Sequence, residues 1–176
     1  MRIAYPGVPG AFSHEACIAF RPRDEAVARS GFEQVIAAVE AGETELGLLP
    51  LANNEAGETG AADLIAKARV RVVQEHELPI QMHLLGMAGS RLADISTVVS
   101  HPVALRQCAR HIRALGLSTK EASNTAVAAA ELSDPSRAVL ASAAAERIYG
   151  LKILKRDMHD RPDNATRFAI IDRRSG

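Results

Sequence analysis

Short β-rich runs alternate with alanine-rich helical patterns along the whole chain, and this alternation restricts the fold more than any other feature. Such alternation marks an α/β protein, in which helices cover the faces of a sheet. Strand signals fall near residues 2–5, 45–49, 70–76, 80–86, 95–99, 117–121, 137–141, 151–157 and 167–171. Between them, Phe32, Val35, Ile36 and Val39 form one helical stripe, and Leu105, Cys108, Ile112 and Leu115 form another. Gly31 and Gly42 bracket the first helix, and Pro102 and Gly116 bracket the second.

No linker rich in Ser, Gly or Pro divides the 176 residues. The strongest interruption is Leu78-Pro79-Ile80, where a proline that cannot donate to a central ladder separates two extended runs. A second polar stretch, Met158 to Asp163, contains Pro162. Two such crossings suggest a first lobe of residues 1–78 plus 159–176 and a second of 79–158, with a small-ligand cleft expected between them.

Composition excludes several functions. Lys plus Arg and Asp plus Glu each number 21, and the aromatic residues are four Phe and two Tyr with no Trp. Neither a basic groove nor a set of stacking platforms for nucleic acid follows from that, and no membrane patch does. Cys17 and Cys108 fall on the apolar sides of expected helices, so they read as buried free thiols of a reducing, cytoplasmic compartment. The N-terminus lacks an apolar signal run, and no CxxC or HExxH spacing suggests a metal.

The run Asn164-Ala165-Thr166-Arg167-Phe168 carries the sharpest chemical signal. It puts an amide, a hydroxyl and a guanidinium at the mouth of a late strand, a set able to bond a leaving hydroxyl and clamp a carboxylate. The bland alternative makes Thr166 an ordinary strand residue and Arg167 a surface charge. Three other places put a turn before a helix start, where free N–H groups attract anions. Gly7-Val8-Pro9-Gly10 leads to Ser13, placed to cap a helix; Ser100-His101-Pro102 follows a strand; and Asn124-Thr125 precedes an alanine helix, with capping as the default role. Asn53 and Asn54, beside Gly57, make either a turn or a polar pocket wall.

Taken in order, these segments resemble the prephenate dehydratase family over nearly the whole chain. Gly7 to Ser13 looks like its glycine loop, Pro50 to Gly57 like its Pro-Ile-Glu-Asn-Ser-x-x-Gly segment, and Glu75 to Ile80 like the crossing between its lobes. Ser100-His101-Pro102-Val103-Ala104-Leu105-Arg106-Gln107-Cys108 is similar to its Ser-His-Pro helix start. Thr125-Ala126, Tyr149-Gly150-Leu151 and Asn164-x-Thr166-Arg167-Phe168 match its remaining motifs. The resemblance implies two small α/β lobes around a cleft, an architecture like that of type II periplasmic binding proteins. It also implies cofactor-free, decarboxylating dehydration of prephenate to phenylpyruvate, in phenylalanine biosynthesis. Thr166 would then assist the departing hydroxyl, and Arg167 would hold a carboxylate with N–H groups near Ser100 or Ser13. Asn53, Asn54, Gln107, Phe168, Asn164, His101 and Thr125 would complete the substrate site.

The expected partner is a small-molecule substrate, with homo-oligomerisation left open. Departures from the family pattern include Ala52 in place of Glu, Asn54 in place of Ser and Val103 in place of Gln. The first two bear on a preference for arogenate over prephenate. The family's C-terminal ACT regulatory domain is expected to be absent, since the sequence stops at Gly176. A carboxylate-binding module of the same fold, without turnover, is the alternative of a different class.

Overall fold

The computed structural model describes residues 1–174. In chain order the elements are β1 (Arg2–Pro6), α1 (Phe12–Phe20), β2 (Glu25–Arg29), α2 (Phe32–Glu40), β3 (Leu46–Asn53), β4 (Gly57–Glu58), α3 (Ala61–Lys67) and β5 (Val70–Pro79). They continue with β6 (His83–Met87), a 3-10 turn (Leu92–Asp94), β7 (Thr97–Ser100), α4 (Pro102–Gln107), α5 (Ala109–Ala114) and β8 (Ser118–Glu121). The last are α6 (Thr125–Ala130), β9 (Arg137–Ala141), α7 (Ala144–Tyr149), β10 (Leu151–Lys155) and β11 (Ala165–Arg173). The chain divides into two compact units, Met1–Pro79 with Ala165–Gly176, and Ile80–Asn164. The last two residues of the expected first lobe, including the C-terminus at Gly176, lie outside the described residues.

The first unit is one sheet in the order β2-β1-β3-β11-β5, with β4 added to β3. β1 runs parallel to β2 and β3, while β11 lies antiparallel between β3 and β5. Both faces are covered, so the central strands are continuously apolar rather than alternating. Ile3, Tyr5, Leu48, Phe168 and Ile170 pack with Ala16 and Cys17 of α1 on one face. On the other, Ala4, Leu49, Ala169 and Ile171 pack with Val35 and Val39 of α2 and Ile65 of α3. Gly47 of β3 lies beneath Val35 and Val39 of α2. A Cβ there would stand 2.9 Å from side-chain carbons of Ile171 and Val35, so even Ala would push the layers apart.

The second unit is a five-stranded sheet in the order β10-β6-β9-β7-β8. β7 is parallel to β8 and β9, and β6 is antiparallel to β9 and β10. Leu85, Val139 and Leu151 pack with Ala128 and Ala129 of α6 and Ala145 of α7.

Five sequence expectations change. β2 carries no strong strand signal in Glu25-Ala26-Val27-Ala28-Arg29 because it is an edge strand with no fully buried residue. The run 70–76 extends to Pro79, which is tolerated because β5 is an edge strand with no rung to lose on its open side. β10 stops at Lys155, since Asp157 turns to the left-handed conformation (φ 54°) and donates its N–H to His83 Nδ1 at 3.0 Å.

The helix expected over 102–116 is broken at Cys108 (φ −116°, ψ 9°). Asp160 causes the second start: its carboxylate accepts from the N–H groups of Arg110 (2.9 Å) and His111 (3.4 Å) and contacts His111 Nδ1 at 3.0 Å. Met158 N–H donates to Met82 and Asp160 N–H to Gln107 (2.8 and 2.7 Å). These bonds place residues 159–164 in the second unit rather than the first, and the return crossing falls at Asn164–Ala165.

Burial opposes the charge on Asp160, but the Arg110 N–H, the His111 ring and the His111 N–H outweigh it and hold the carboxyl below its usual range. A depressed carboxyl stabilises the fold above its unfolded pKa and loses that contribution as pH falls through the folded one. Asp160→Ala should therefore cost about 1 kcal/mol near neutral pH. The gap from wild type should close below the carboxylate range, as followed by urea unfolding at both pH values.

Candidate active site

The ends of β3 and β11 place Asn53 opposite Thr166. One residue further in, the ladder slips between Arg167 and Phe168, leaving Leu51 as the extra residue on β3. A bulge of this kind re-aims the side chains beyond it. Asn53 is fixed at both ends of its amide. Its Oδ1 accepts from the N–H groups of Glu55 (3.0 Å) and Ala56 (2.9 Å), which makes the turn expected of an Asn here. Nδ2 then donates to Thr166 Oγ1 at 2.9 Å and to the Ala165 carbonyl at 3.0 Å. An amide nitrogen can only donate, so Thr166 Oγ1 accepts in this bond and its proton is left to be donated elsewhere. Thr166 is 8% exposed, which limits how far water weakens that donation.

Side chains along β11 alternate between the two faces of the sheet. Thr166 shares its face with Phe168 and Ile170, whereas Arg167 shares the opposite one with Ala169 and Ile171. Arg167 is half exposed and pairs with Glu75 of β5 at 3.0 Å. It therefore does not join Thr166 as a carboxylate clamp. Phe168 is likewise no pocket wall: it is 1% exposed, packs in the core and meets Phe20 edge-on at 6.4 Å, while Phe20 stacks on His76 at 4.6 Å. Asn164 is buried; its carbonyl accepts from Ile80 N–H at 2.8 Å, and the contact division places it in the second unit.

The glycine loop of the first unit owes its shape to Gly7 and Gly10, both left-handed (φ 111° and 83°). Ser13 does not cap α1. Ala11 occupies the cap position without a side-chain bond, and Ser13 sits inside the first turn. His14 does the local ordering instead, with Nδ1 accepting from Gly10 N–H at 3.1 Å and its ring stacked on Tyr5 at 5.2 Å. Burial lowers the His14 pKa, which keeps the ring in the neutral form that can accept. Nothing in the motif marked this histidine beyond its spacing of four residues from Gly10.

In the second unit, Ser100 ends β7 fully buried, and its Oγ lies 3.0 Å from Thr125 Oγ1 at the start of α6. His101 caps α4, with Nδ1 accepting from Val103 N–H at 3.2 Å and Pro102 in the first helical turn. Asn124 caps α6 through Oδ1, bonded by Ala126 and Val127 N–H at 2.8 and 3.2 Å. Gln107 ends α4 beside the break at Cys108. The structure thus gathers Asn53, Asn54 and Thr166 in one unit and Ser100, His101 and Thr125 in the other. Among the described residues, no group of three or more His, Cys, Asp or Glu is placed to hold a metal, and no helix is long and apolar enough to cross a membrane.

Mixed sheets covered by helices define a class of α/β fold shared with solute-binding proteins. A periplasmic substrate-binding protein of a Coxiella burnetii ABC transporter superposes with a TM-score of 0.51 at 11% identity, over 98% of this chain and 84% of that one, which shows the fold alone. Within that class the chain belongs to the prephenate dehydratase family, whose sequence pattern it matches over residues 3–176. The Arabidopsis thaliana chloroplastic arogenate dehydratase/prephenate dehydratase 1 is 37% identical over 177 residues, covering 98% of this chain and 45% of that protein. A Komagataeibacter europaeus bifunctional N-acyl-homoserine lactone acylase/prephenate dehydratase is 39% identical over 176 residues, covering 98% and 63%. The crystal structure of the Arthrobacter aurescens prephenate dehydratase in complex with L-Phe has a TM-score of 0.91 at 26% identity, over all of this chain and 61% of that one. The chain thus spans about half the length of the plant relative and under two thirds of the other two family members.

An exposed Arg167–Glu75 pair contributes little to stability. Arg167→Ala should shift the urea midpoint by the equivalent of less than about 1 kcal/mol. A larger loss would mean that the guanidinium has a partner beyond Glu75.

Proposed function

We propose that this chain catalyses the decarboxylating dehydration of prephenate to phenylpyruvate, within aromatic amino-acid biosynthesis in the cytoplasm. The observation that carries this reading is the Asn53–Thr166 bond, which fixes a nearly buried hydroxyl with its proton free to donate. In the reaction, the bond from the ring to its carboxylate breaks and CO2 departs. Its electron pair enters the ring, and the hydroxyl on the opposite ring carbon leaves, taking up a proton to become water. Aromatisation supplies the driving force, so the protein's task is to ease departure of the hydroxyl and to hold the substrate. An alkyl hydroxyl is too weak an acid to give up its proton near neutral pH. Thr166 therefore stabilises the leaving oxygen by a hydrogen bond that strengthens as charge develops there.

Substrate binding is assigned to the remaining polar groups. The hydroxyls of Ser100 and Thr125, with His101 and Gln107 following Ser100 in sequence, are proposed for polar atoms of the substrate, and Ser13 for the same role in the first unit. Arogenate, which carries an amine in place of the keto oxygen, undergoes the same bond changes and gives phenylalanine. The name of the plant relative supports testing it beside prephenate. The buried Cys17 and Cys108, neither of them in a disulfide, suit a reducing compartment.

Incubation with prephenate should yield phenylpyruvate, followed by its alkaline ultraviolet absorbance, with no metal or nucleotide added. Thr166→Val should lower kcat by about 10²- to 10³-fold, the range for losing one preorganised hydrogen-bond donor, and Thr166→Ser should retain much more. Wild-type turnover by Thr166→Val would remove this hydroxyl from the mechanism.

A second reading comes from the bifunctional Komagataeibacter relative, 39% identical over 176 residues. Hydrolysis of an N-acyl-homoserine lactone adds water across the amide and breaks its C–N bond, giving a fatty acid and homoserine lactone. Release of homoserine lactone by the purified chain, measured by mass spectrometry, would support this activity; none at high enzyme concentration would remove it.

A further inference from the structure

We propose that Asn54 is a positioning residue for Thr166, holding the backbone on which the reactive hydroxyl is mounted; this rests on the dehydratase reading. β11 begins at Ala165, the residue just before Thr166. Ala165 N–H donates to Asn54 Oδ1 at 3.0 Å, and its carbonyl accepts from Asn54 N–H at 3.1 Å and from Asn53 Nδ2 at 3.0 Å. A backbone N–H needs an acceptor, so the Asn54 oxygen, not its nitrogen, is the atom that faces Ala165. On the other side of Ala165 stands Pro79 of β5, which has no N–H to offer its carbonyl. The first rung of β11 is therefore closed from the β3 side by two consecutive asparagines with separate tasks. Asn53 sets the direction of the Thr166 hydroxyl, and Asn54 keeps the strand end from fraying beneath it.

Strand ends without such a rung open on a scale that blurs the geometry a catalytic donor requires. Asn54 is exposed and its bonds to Ala165 join neutral groups, so their loss should cost the fold little and reach the reaction through the strand end that carries Thr166. Asn54→Asp keeps an acceptor oxygen toward Ala165 N–H, whereas Asn54→Ala does not.

The test combines steady-state turnover of prephenate and arogenate with amide hydrogen exchange at Ala165. Asn54→Ala should lower kcat by about 3- to 10-fold, the range that one neutral hydrogen bond supports, with KM within about twofold. Exchange at Ala165 should quicken, and Asn54→Asp should restore both kcat and protection. On a Thr166→Val background, Asn54→Ala should cause no further fall in kcat, because the group it positions is already gone. An unchanged kcat in Asn54→Ala, an equal loss in Asn54→Asp, or a further fall on the Thr166→Val background would overturn the proposal. A wild-type chain that turns over neither substrate would defeat the dehydratase reading instead. Unaltered Ala165 exchange in Asn54→Ala would then still overturn the anchor.

Discussion

The pairing of β11 between β3 and β5 is the constraint on which the first unit depends. β11 lies antiparallel to strands laid down more than eighty residues earlier, from Asn53 opposite Thr166 to Val70 opposite Arg173. Phe168 through Ile171 are all essentially buried, and they supply core to both faces of the sheet at once. Without them β5 has no partner and α2 and α3 lose part of the surface they cover. Cross-strand pairs at Arg71–Asp172 and Arg167–Glu75 mark the register but add little energy at their exposure. Contacts this distant in sequence form late and cost loop-closure entropy, so the first unit should complete only once the whole chain is available.

The same pairing creates the Asn53–Thr166 contact. Burial requires register, because a slip of one residue would turn Phe168 and Ile170 to the other face. The register that buries them also brings Thr166 to Asn53, so core packing and hydroxyl orientation are set by one arrangement. The second unit works differently. Its polar residues Ser100, His101 and Asn124 stand at strand ends and helix starts, and two of the three are occupied in capping. The Nδ1 acceptor of the His101 cap recurs at His14, His83 and His159, each accepting a backbone N–H. The bonds of His14 and His101 are local, whereas those of His83 and His159 tie together segments more than seventy residues apart.

Much of the architecture was legible because its physical cause is local. The stripe Phe32, Val35, Ile36, Val39 makes a helix wherever one face is buried, and Asn124 caps because its side chain reaches the N–H groups two and three residues on. The motif around Thr166 and Asn53 was legible as a resemblance, and the Asn-turn as chemistry. Other elements were not. β2 has too little apolar surface to announce itself, and the break at Cys108 depends on Asp160, fifty-two residues away in sequence. Arg167 and Phe168 sit beside Thr166 in sequence, yet strand alternation and core packing withdraw them from the hydroxyl.

The amino-acid sequence alone determined the α/β class, the Asn124 cap and the burial of the two cysteines. Each follows from periodicity or from groups a few residues apart. Only tertiary structure decided that Asn53 bonds Thr166, that Asn54 closes the first rung of β11, that Asp160 restarts a helix and that Arg167 belongs to Glu75. Those facts depend on strand register and on which face a side chain takes, and both are settled by burying apolar surface between segments that the sequence holds far apart.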